Sequence, residues 1–257
     1  MPRHLELVLA GLERQSLREF EVLVCDDGSG KETAAVIQSF ASRFPGRVEH
    51  IWQENRGFRK CRMLNEALRR ARADVFVFLD GDCVPHRDFM RDHVEQQEEG
   101  RYLAGRRVEL GPKLSEGLTA ADVRAGFFDW PHPKLVLSML QGDSEYLNRT
   151  LRVSWPPMRK LLKMDRVADL KGCNYSVSRQ AMEAINGFDE AYEGYGREDT
   201  DAEVRLKNLG LKIKSLKGLA LQFHVWHPRR EFTPANEHLI ERAVSMGRVR
   251  CEQGWVQ

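Results

Sequence analysis

Five consecutive apolar residues, Val75-Phe76-Val77-Phe78-Leu79, stop abruptly at Asp80-Gly81-Asp82. A run this short, rich in β-branched and aromatic side chains and closed by turn residues, reads as a strand buried on both faces. Such a strand needs a sheet covered by helices, and the flanking sequence supplies both. A helical pattern over residues 4–17 leads to a strand over 20–24 that ends in Cys25-Asp26-Asp27-Gly28-Ser29-Gly30. A helix over 32–44, a strand over 48–52 and a helix over 61–72 come before the Val75 run, and a polar helix over 87–99 follows it. This alternation predicts an α/β domain with a mixed, mostly parallel sheet flanked by helices. Ligands of such sheets sit beyond the carboxyl ends of the strands, where both acidic clusters fall.

The rest of the chain is less regular. Residues 111–169 carry weak periodicity with prolines and aromatics, and read as short helices and loops. Beyond them a strand is expected over 174–178 and a helix over 180–185, stopped by Asn186-Gly187. A helix over 201–208 closes at Gly210, strands follow at 212–216 and 220–225, and a helix starts from Pro234. The expected organisation is one domain over 1–230 with a nucleotide-binding half (1–110) and an acceptor or catalytic half (111–230), then a helical tail over 231–257.

Composition narrows the class. With 257 residues, 42% hydrophobic and 30% charged, the chain can build a substantial core. A formal net charge of +2 offers no field for nucleic acid, which is excluded as a partner. Five scattered cysteines without paired spacing imply neither a disulfide framework nor a cysteine zinc site, as suits a reducing cytosol. No apolar run is long enough to cross a bilayer and no signal peptide is evident. A soluble, cytoplasmic protein is expected, and peripheral association with the inner face of the membrane stays open.

Several clusters could carry chemistry. On an extended backbone residues two apart point the same way, so Asp80 and Asp82 can face one site while Gly81 permits close approach. Bare, such a pair is costly; Mg²⁺ or Mn²⁺, completed by substrate phosphates, removes that cost. Asp26-Asp27-Gly28-Ser29 could accept hydrogen bonds from a base or a ribose. For both clusters the plain alternative is a turn that favours Asp and Gly. Arg56, Arg59, Lys60 and Arg62 crowd a helix N-terminus, where cations are not dipole-favoured, and either pair a diphosphate or form a solvated face. Glu198 and Asp199 open a helix after Gly194 and Gly196; carboxylates there are routine caps, but one held in a cleft is also a general base. His224 and His227, in Phe223-His224-Val225-Trp226-His227-Pro228, would point to opposite faces of a strand, so at most one is expected to bind metal.

The order of these motifs is more specific than any one of them. Val24-Cys25-Asp26-Asp27-Gly28-Ser29, then Asn55-x-Gly57, then Phe78-Leu79-Asp80-Gly81-Asp82 resembles the family 2 glycosyltransferases of GT-A fold. Gly172-Cys173-Asn174, Asn186-Gly187-Phe188-Asp189-Glu190, Tyr195-Gly196-Arg197-Glu198-Asp199-Thr200-Asp201 and Phe223-His224 resemble the C-terminal half of galactosyltransferase- and chondroitin-polymerase-like enzymes. The resemblance implies that Asp27 contacts the uracil or ribose, and Arg59 or Arg62 the base or diphosphate. It places Asp80 and Asp82 at the donor ribose and the Mn²⁺ or Mg²⁺, with Asp82 the more direct ligand and His224 completing the shell. Gly172 and Asn174 would border the donor sugar, Asp199 would be the catalytic base and Glu198 would orient the acceptor. The implied activity is inverting transfer of a hexose or N-acetylhexosamine from a UDP-sugar to a saccharide or glycolipid acceptor, in surface polysaccharide or lipopolysaccharide synthesis. The aromatic stretch over 126–155 is the expected acceptor surface.

Two departures from the family pattern matter. Asn65 lies three residues beyond Arg62, where the family commonly has an Arg-Asn pair, so that segment matches loosely. Family members also begin with a strand bearing a Pro-x-Tyr-Asn-like segment, whereas Met1-Pro2-Arg3 runs straight into the helix that should follow it. A sheet lacking its usual first strand is therefore expected, with a native start upstream of Met1. The competing class is a truncated, non-catalytic relative that binds nucleotide or a partner enzyme. A nucleotidyltransferase is disfavoured, because no Gly-rich, Lys-bearing loop stands near the N-terminus.

Overall fold

The computed structural model describes residues 1–228 and 231–256. Arg229, Arg230 and Gln257, at the limits of the expected spans 1–230 and 231–257, lie outside the described residues. In the first half, α1 (Pro2–Glu13), β1 (Val22–Asp26), α2 (Lys31–Ala41), β2 (Val48–Trp52), α3 (Lys60–Arg70) and β3 (Val75–Leu79) alternate as expected. Then come β4 (Cys83–Pro85), α4 (Phe89–Glu95), β5 (Arg101–Ala104) and β6 (Arg107–Glu109). The middle holds four short α-helices, α5 (Pro112–Gly117), α6 (Ala120–Arg124), α7 (Pro133–Leu140) and α8 (Pro156–Leu161). The chain closes with β7 (Asn174–Ser178), α9 (Arg179–Ala184), α10 (Glu198–Asn208), β8 (Lys212–Ser215), β9 (Gln222–His224) and α11 (Ala235–Ser245).

The sheet is mixed, but parallel ladders do not predominate. The β1–β2, β5–β8 and β6–β9 pairs are parallel, while β3–β7, β5–β7 and β4–β9 are antiparallel. The reason lies in the connections. Only Asp80-Gly81-Asp82 separates β3 from β4, and only Gly105-Arg106 separates β5 from β6. Neither link is long enough for the helical crossover that a parallel return needs. The chain instead passes between three ladders, β1-β2, β3-β7-β5-β8 and β4-β9-β6. Among the described residues β1 makes no ladder with β3, so the sheet is interrupted where the absent first strand was expected.

Helices cover these sheets because their apolar stripes have period 3.6. In α1, Leu7, Val8, Leu9, Ala10 and Leu12 are buried. One core packs Leu7 and Val8 with Val84, Val108, Phe128 and Phe223, joining α1 to the β4-β9-β6 ladder. A second gathers Phe76, Tyr175, Val177, Met182 and Leu206 on β3, β7, α9 and α10 with Phe188 from the turn after α9. Asn65 ties the halves together. Its Nδ2 donates to the Phe188 carbonyl at 2.8 Å, and its Oδ1 accepts from the Phe188 amide at 2.8 Å. That pairing needs the tight turn at Asn186-Gly187, where both residues take positive φ (63° and 69°). Asn65 is therefore a buried structural bracket. All five cysteines are free, and among the described residues no helix is long and apolar enough to cross a membrane.

Candidate active site

A cavity of about 1480 Å³ opens at the carboxyl ends of β1 and β3, and Asp27, Asp80, Asp82, Gly172, Glu198, Asp199 and His224 all line it. Elements far apart in sequence converge there because each strand delivers its last residues to the same edge.

The two acidic residues at the end of β1 divide their roles. Asp26 is buried, accepts the Ser29 amide at 2.8 Å and meets His50 Nε2 at 2.8 Å. Burial raises its pKa, but the Ser29 and His50 hydrogen bonds outweigh that and hold it below the usual carboxylate range. Asp27 faces the cavity and anchors its polar wall, accepting from Gln53 Nε2 and from the Arg59 amide, each at 2.6 Å.

The basic cluster is arranged differently from expectation. Arg59 turns back to the Glu54 carbonyl at 2.5 Å, and Arg62 sits exposed on α3; neither side chain lines the cavity. The helix instead aims Lys60 inward, where its Nζ lies 3.3 Å from Asp80 and 3.5 Å from Glu198. Burial lowers the Lys60 pKa, but Asp80, Glu198 and Asp199 more than reverse this and raise it well above the ordinary value. Burial likewise raises the Asp80 pKa, yet the Lys60 charge holds it below the usual range. Nothing in the sequence separates Lys60 from its arginine neighbours except the register of α3.

Asp82 meets both histidines. His227 Nε2 lies 3.1 Å from its Oδ2, and His224 Nε2 lies 3.7 Å from its Oδ1. The two Nε2 atoms are 3.2 Å apart. The expectation that these rings point to opposite faces fails because β9 ends at His224, and the chain then bends so that His227 returns to the same side. His224 Nδ1 pairs with Glu109 at 2.7 Å, and His227 Nδ1 lies 2.8 Å from the Pro228 carbonyl. Both partners are acceptors, so each Nδ1 carries a proton, and in the neutral rings the two Nε2 lone pairs face each other beside a carboxylate. That donor set repels itself without a cation and fits a divalent ion, with Glu109 orienting one ligand from behind. Burial raises the Glu109 pKa, but His224 and Arg107 outweigh it and bring it down to about 2.

The catalytic candidates open α10. Asp199 Oδ2 accepts the Gly172 amide at 2.9 Å and Oδ1 accepts the Thr200 amide at 2.8 Å, so two backbone groups fix its direction. A Cβ on Gly172 would stand 3.0 Å from Asp199 Oδ2, hence the glycine. Glu198 is buried, accepting from the Gly196 amide at 3.1 Å and pairing with Lys60. Asn174 does not reach the cavity. It is fully buried, with Nδ2 donating to the Arg106 and Ala220 carbonyls at 3.1 and 2.9 Å and Oδ1 accepting from His93 at 3.1 Å. Its amide is spent on the scaffold that supports Gly172.

Two family descriptions match this chain: "Glycosyl transferase family 2" over residues 3–121, and "N-terminal domain of galactosyltransferase" over 158–228. Among curated sequences it is similar to the uncharacterised glycosyltransferase YfnE of Bacillus subtilis, 27% identical over 247 residues, covering 82% of this chain and 58% of that protein. It is also similar to chondroitin synthase of Pasteurella multocida, 23% identical over 248 residues, covering 89% of this chain and 24% of that protein. The chain thus spans between a quarter and three-fifths of these relatives' lengths. Among solved structures it superposes on Staphylococcus aureus TarS 1-349 in complex with UDP-GlcNAc, with TM-score 0.62, 14% identity and coverage of 98% and 64% of the two chains. The mannosyltransferase PcManGT of Pyrobaculum calidifontis, in complex with GDP-Man and Mn²⁺, gives TM-score 0.59, 17% identity and coverage of 96% and 66%. With its motifs in family order, residues 3–121 matching the family 2 glycosyltransferase description, residues 158–228 matching the galactosyltransferase one and its fold shared with these transferases, the chain is similar to the family 2 glycosyltransferases and has their GT-A fold.

Proposed function

We propose that the chain is a metal-dependent, inverting glycosyltransferase that moves a hexose or N-acetylhexosamine from a UDP-sugar to a saccharide or glycolipid hydroxyl, in surface polysaccharide or lipopolysaccharide synthesis. The observation that carries this reading is the meeting of Asp82, His224 and His227 in one cavity with Asp199. Solved neighbours that bind UDP-GlcNAc, or GDP-Man with Mn²⁺, support a nucleotide-sugar and a metal.

Asp82, His224 and His227 hold the Mn²⁺ or Mg²⁺, which when bound neutralises charge on the departing diphosphate. Asp27 and the loop it anchors face the uracil and ribose. Lys60 keeps Asp80 and Glu198 together in one wall despite their like charge. Asp199, aimed by the Gly172 and Thr200 amides, takes the proton from the acceptor hydroxyl as that oxygen attacks the anomeric carbon. The bond from that carbon to the diphosphate oxygen breaks in the same displacement, so the configuration inverts. Glu198 orients the acceptor beside it.

Calorimetric titration of UDP with and without Mn²⁺, on the parent, Asp82→Ala and His227→Ala, tests the donor site. Binding that requires metal and is lost in both variants is expected. Binding indifferent to metal, or unchanged in Asp82→Ala, overturns the assignment. Absence of binding to the parent under both conditions favours the non-catalytic relative.

A further inference from the structure

Just ahead of Asp199 the backbone leaves the regions that side chains prefer. Gly194, Gly196 and Arg197 take φ of 79°, 110° and 74°, and α10 begins at the next residue, Glu198. Glycine tolerates such angles, but an L side chain is disfavoured there by about tenfold or more. Something must therefore hold Arg197. Its own helix does not, since Arg197 as N-cap makes no side-chain hydrogen bond to α10. A residue kept at a costly angle beside a candidate reacting group points to surroundings that enforce it.

Those surroundings are the start of α11 and the residues that lead into it. The Thr233 amide donates to the Tyr195 carbonyl and the Tyr195 amide donates to Thr233 Oγ1, each at 2.9 Å. Asn236 Nδ2 donates to the Gly196 carbonyl at 2.7 Å. The Arg197 guanidinium donates twice to Glu237, at 2.8 and 2.9 Å, and lies 5.7 Å from the centre of the Phe232 ring. Each residue from Tyr195 to Arg197 is thus tied to the segment 232–237. A Cβ on Gly196 would stand 2.4 Å from the Phe232 ring, so the two segments are in close contact. The anchor is itself fixed. Asn236, Ile240 and Ala243 are buried along one face of α11, at helical spacing, and α11 packs against α10.

On its other side the loop meets the wall that carries Asp27. The Gly194 amide donates to the Phe58 carbonyl at 2.9 Å, one residue before the Arg59 amide that Asp27 accepts. The loop is pinned between that wall and α11, and the first turn of α10 inherits its direction. Glu198 accepts the Gly196 amide and Asp199 accepts the Gly172 amide. A change of Arg197 to a right-handed angle would redirect the chain where it enters α10, and both carboxylates with it. We propose that Asn236 and Glu237 of α11 are positioning residues, which hold Arg197 in the left-handed conformation and so aim Asp199 at Gly172 and at the reacting hydroxyl. The identity of that hydroxyl's base rests on the transfer reading above; the aiming of Asp199 does not.

Hydrogen exchange of single amides, followed by NMR on the full chain, tests this without any substrate. The Gly172 amide reports the aim of Asp199, because that carboxylate is its acceptor. Glu237→Ala removes a partly exposed bidentate pair, so Tm should stay within about 4 °C of the parent while the Gly172 amide exchanges about fivefold faster. Asn236→Leu leaves the Gly196 carbonyl unpaired and should quicken it at least as much. Amides of 203–208, inside α10, should keep their parent rates. Adding Arg197→Asn to Glu237→Ala should return the Gly172 amide to within about twofold of the parent, because asparagine accepts the left-handed angle unaided. With a UDP-sugar that the parent turns over, Asn236→Leu/Glu237→Ala should lower kcat by about tenfold and leave the donor KM unchanged. Unchanged Gly172 exchange in both single variants overturns the proposal. So does a rise shared equally by 203–208, which marks general loosening, or a Glu237→Ala effect that Arg197→Asn leaves in place. Parent-like kcat in the double variant overturns it too. A parent that neither binds UDP nor turns over a UDP-sugar sinks the transfer reading instead, and the exchange rates then decide the brace alone.

Discussion

Protonation of His93 should destabilise this protein by a calculable amount. His93 is fully buried on α4, with Nδ1 2.9 Å from Ser176 Oγ and Nε2 3.1 Å from Asn174 Oδ1. Gln97 Nε2 donates to the same Ser176 oxygen at 2.8 Å, so the serine proton points to Nδ1 and the ring is neutral, with its proton on Nε2. Burial pulls its pKa down to about 3, and the Asn174 hydrogen bond only partly offsets this. The unfolded value is about 6.5. A base with a depressed folded pKa binds fewer protons folded than unfolded, so its contribution is complete above pH 6.5 and declines as pH falls toward 3. Between pH 7.5 and pH 5 the unfolded state gains protonation worth about 2 kcal/mol that the folded state does not share. Urea unfolding of the parent and His93→Gln at both pH values measures this. The variant is expected to be weaker at pH 7.5, yet to lose about 2 kcal/mol less on acidification. Other titrating groups cancel in that double difference; Asp26 and Asp80, held low, titrate below this window. Equal acid losses in the two proteins would refute the reasoning.

Three further outcomes are expected. Asp199→Asn should lower kcat by about 10²–10⁴ while leaving UDP binding intact, and turnover within tenfold of the parent would remove Asp199 as the base. Lys60→Met leaves Asp80 and Glu198 without their shared cation. Because 27% of the Lys60 side chain is exposed, the loss in urea unfolding should be about 2 kcal/mol, below the cost of breaking a fully buried pair, and an unchanged midpoint would show that cavity water does the screening. Trp130 and Trp155 are 80% and 63% exposed, flanking α7 and preceding α8, as suits rings that stack on sugar faces. Alanine at both should reduce acceptor-dependent activity with UDP affinity unchanged, and full retention would place the acceptor elsewhere.

The strands β2, β3 and β7 were legible to the residue, because runs of β-branched and aromatic residues bounded by turn signals depend on local chemistry alone. The strands β4, β5 and β6, at three or four residues, are too short to display a period, and pairing partners distant in sequence create them. The same division runs through the site. That Asp27, Asp80, Asp82, Glu198 and Asp199 share one cavity follows from their places at strand and helix ends, which the sequence displays. Which neighbour points inward does not. Lys60 rather than Arg59 or Arg62 follows from the rotation of α3 on β1, and the approach of His227 to His224 follows from where β9 leaves its ladder. Asn174 carries the motif's signature, yet His93, Arg106 and Ala220 consume its amide. The sequence by itself determined the longer elements, the order of the acidic clusters and the family resemblance, because these rest on composition and spacing along the chain. Only the tertiary structure decided side-chain direction, buried partners and the open edges of β1 and β3, because each depends on groups brought together across the fold.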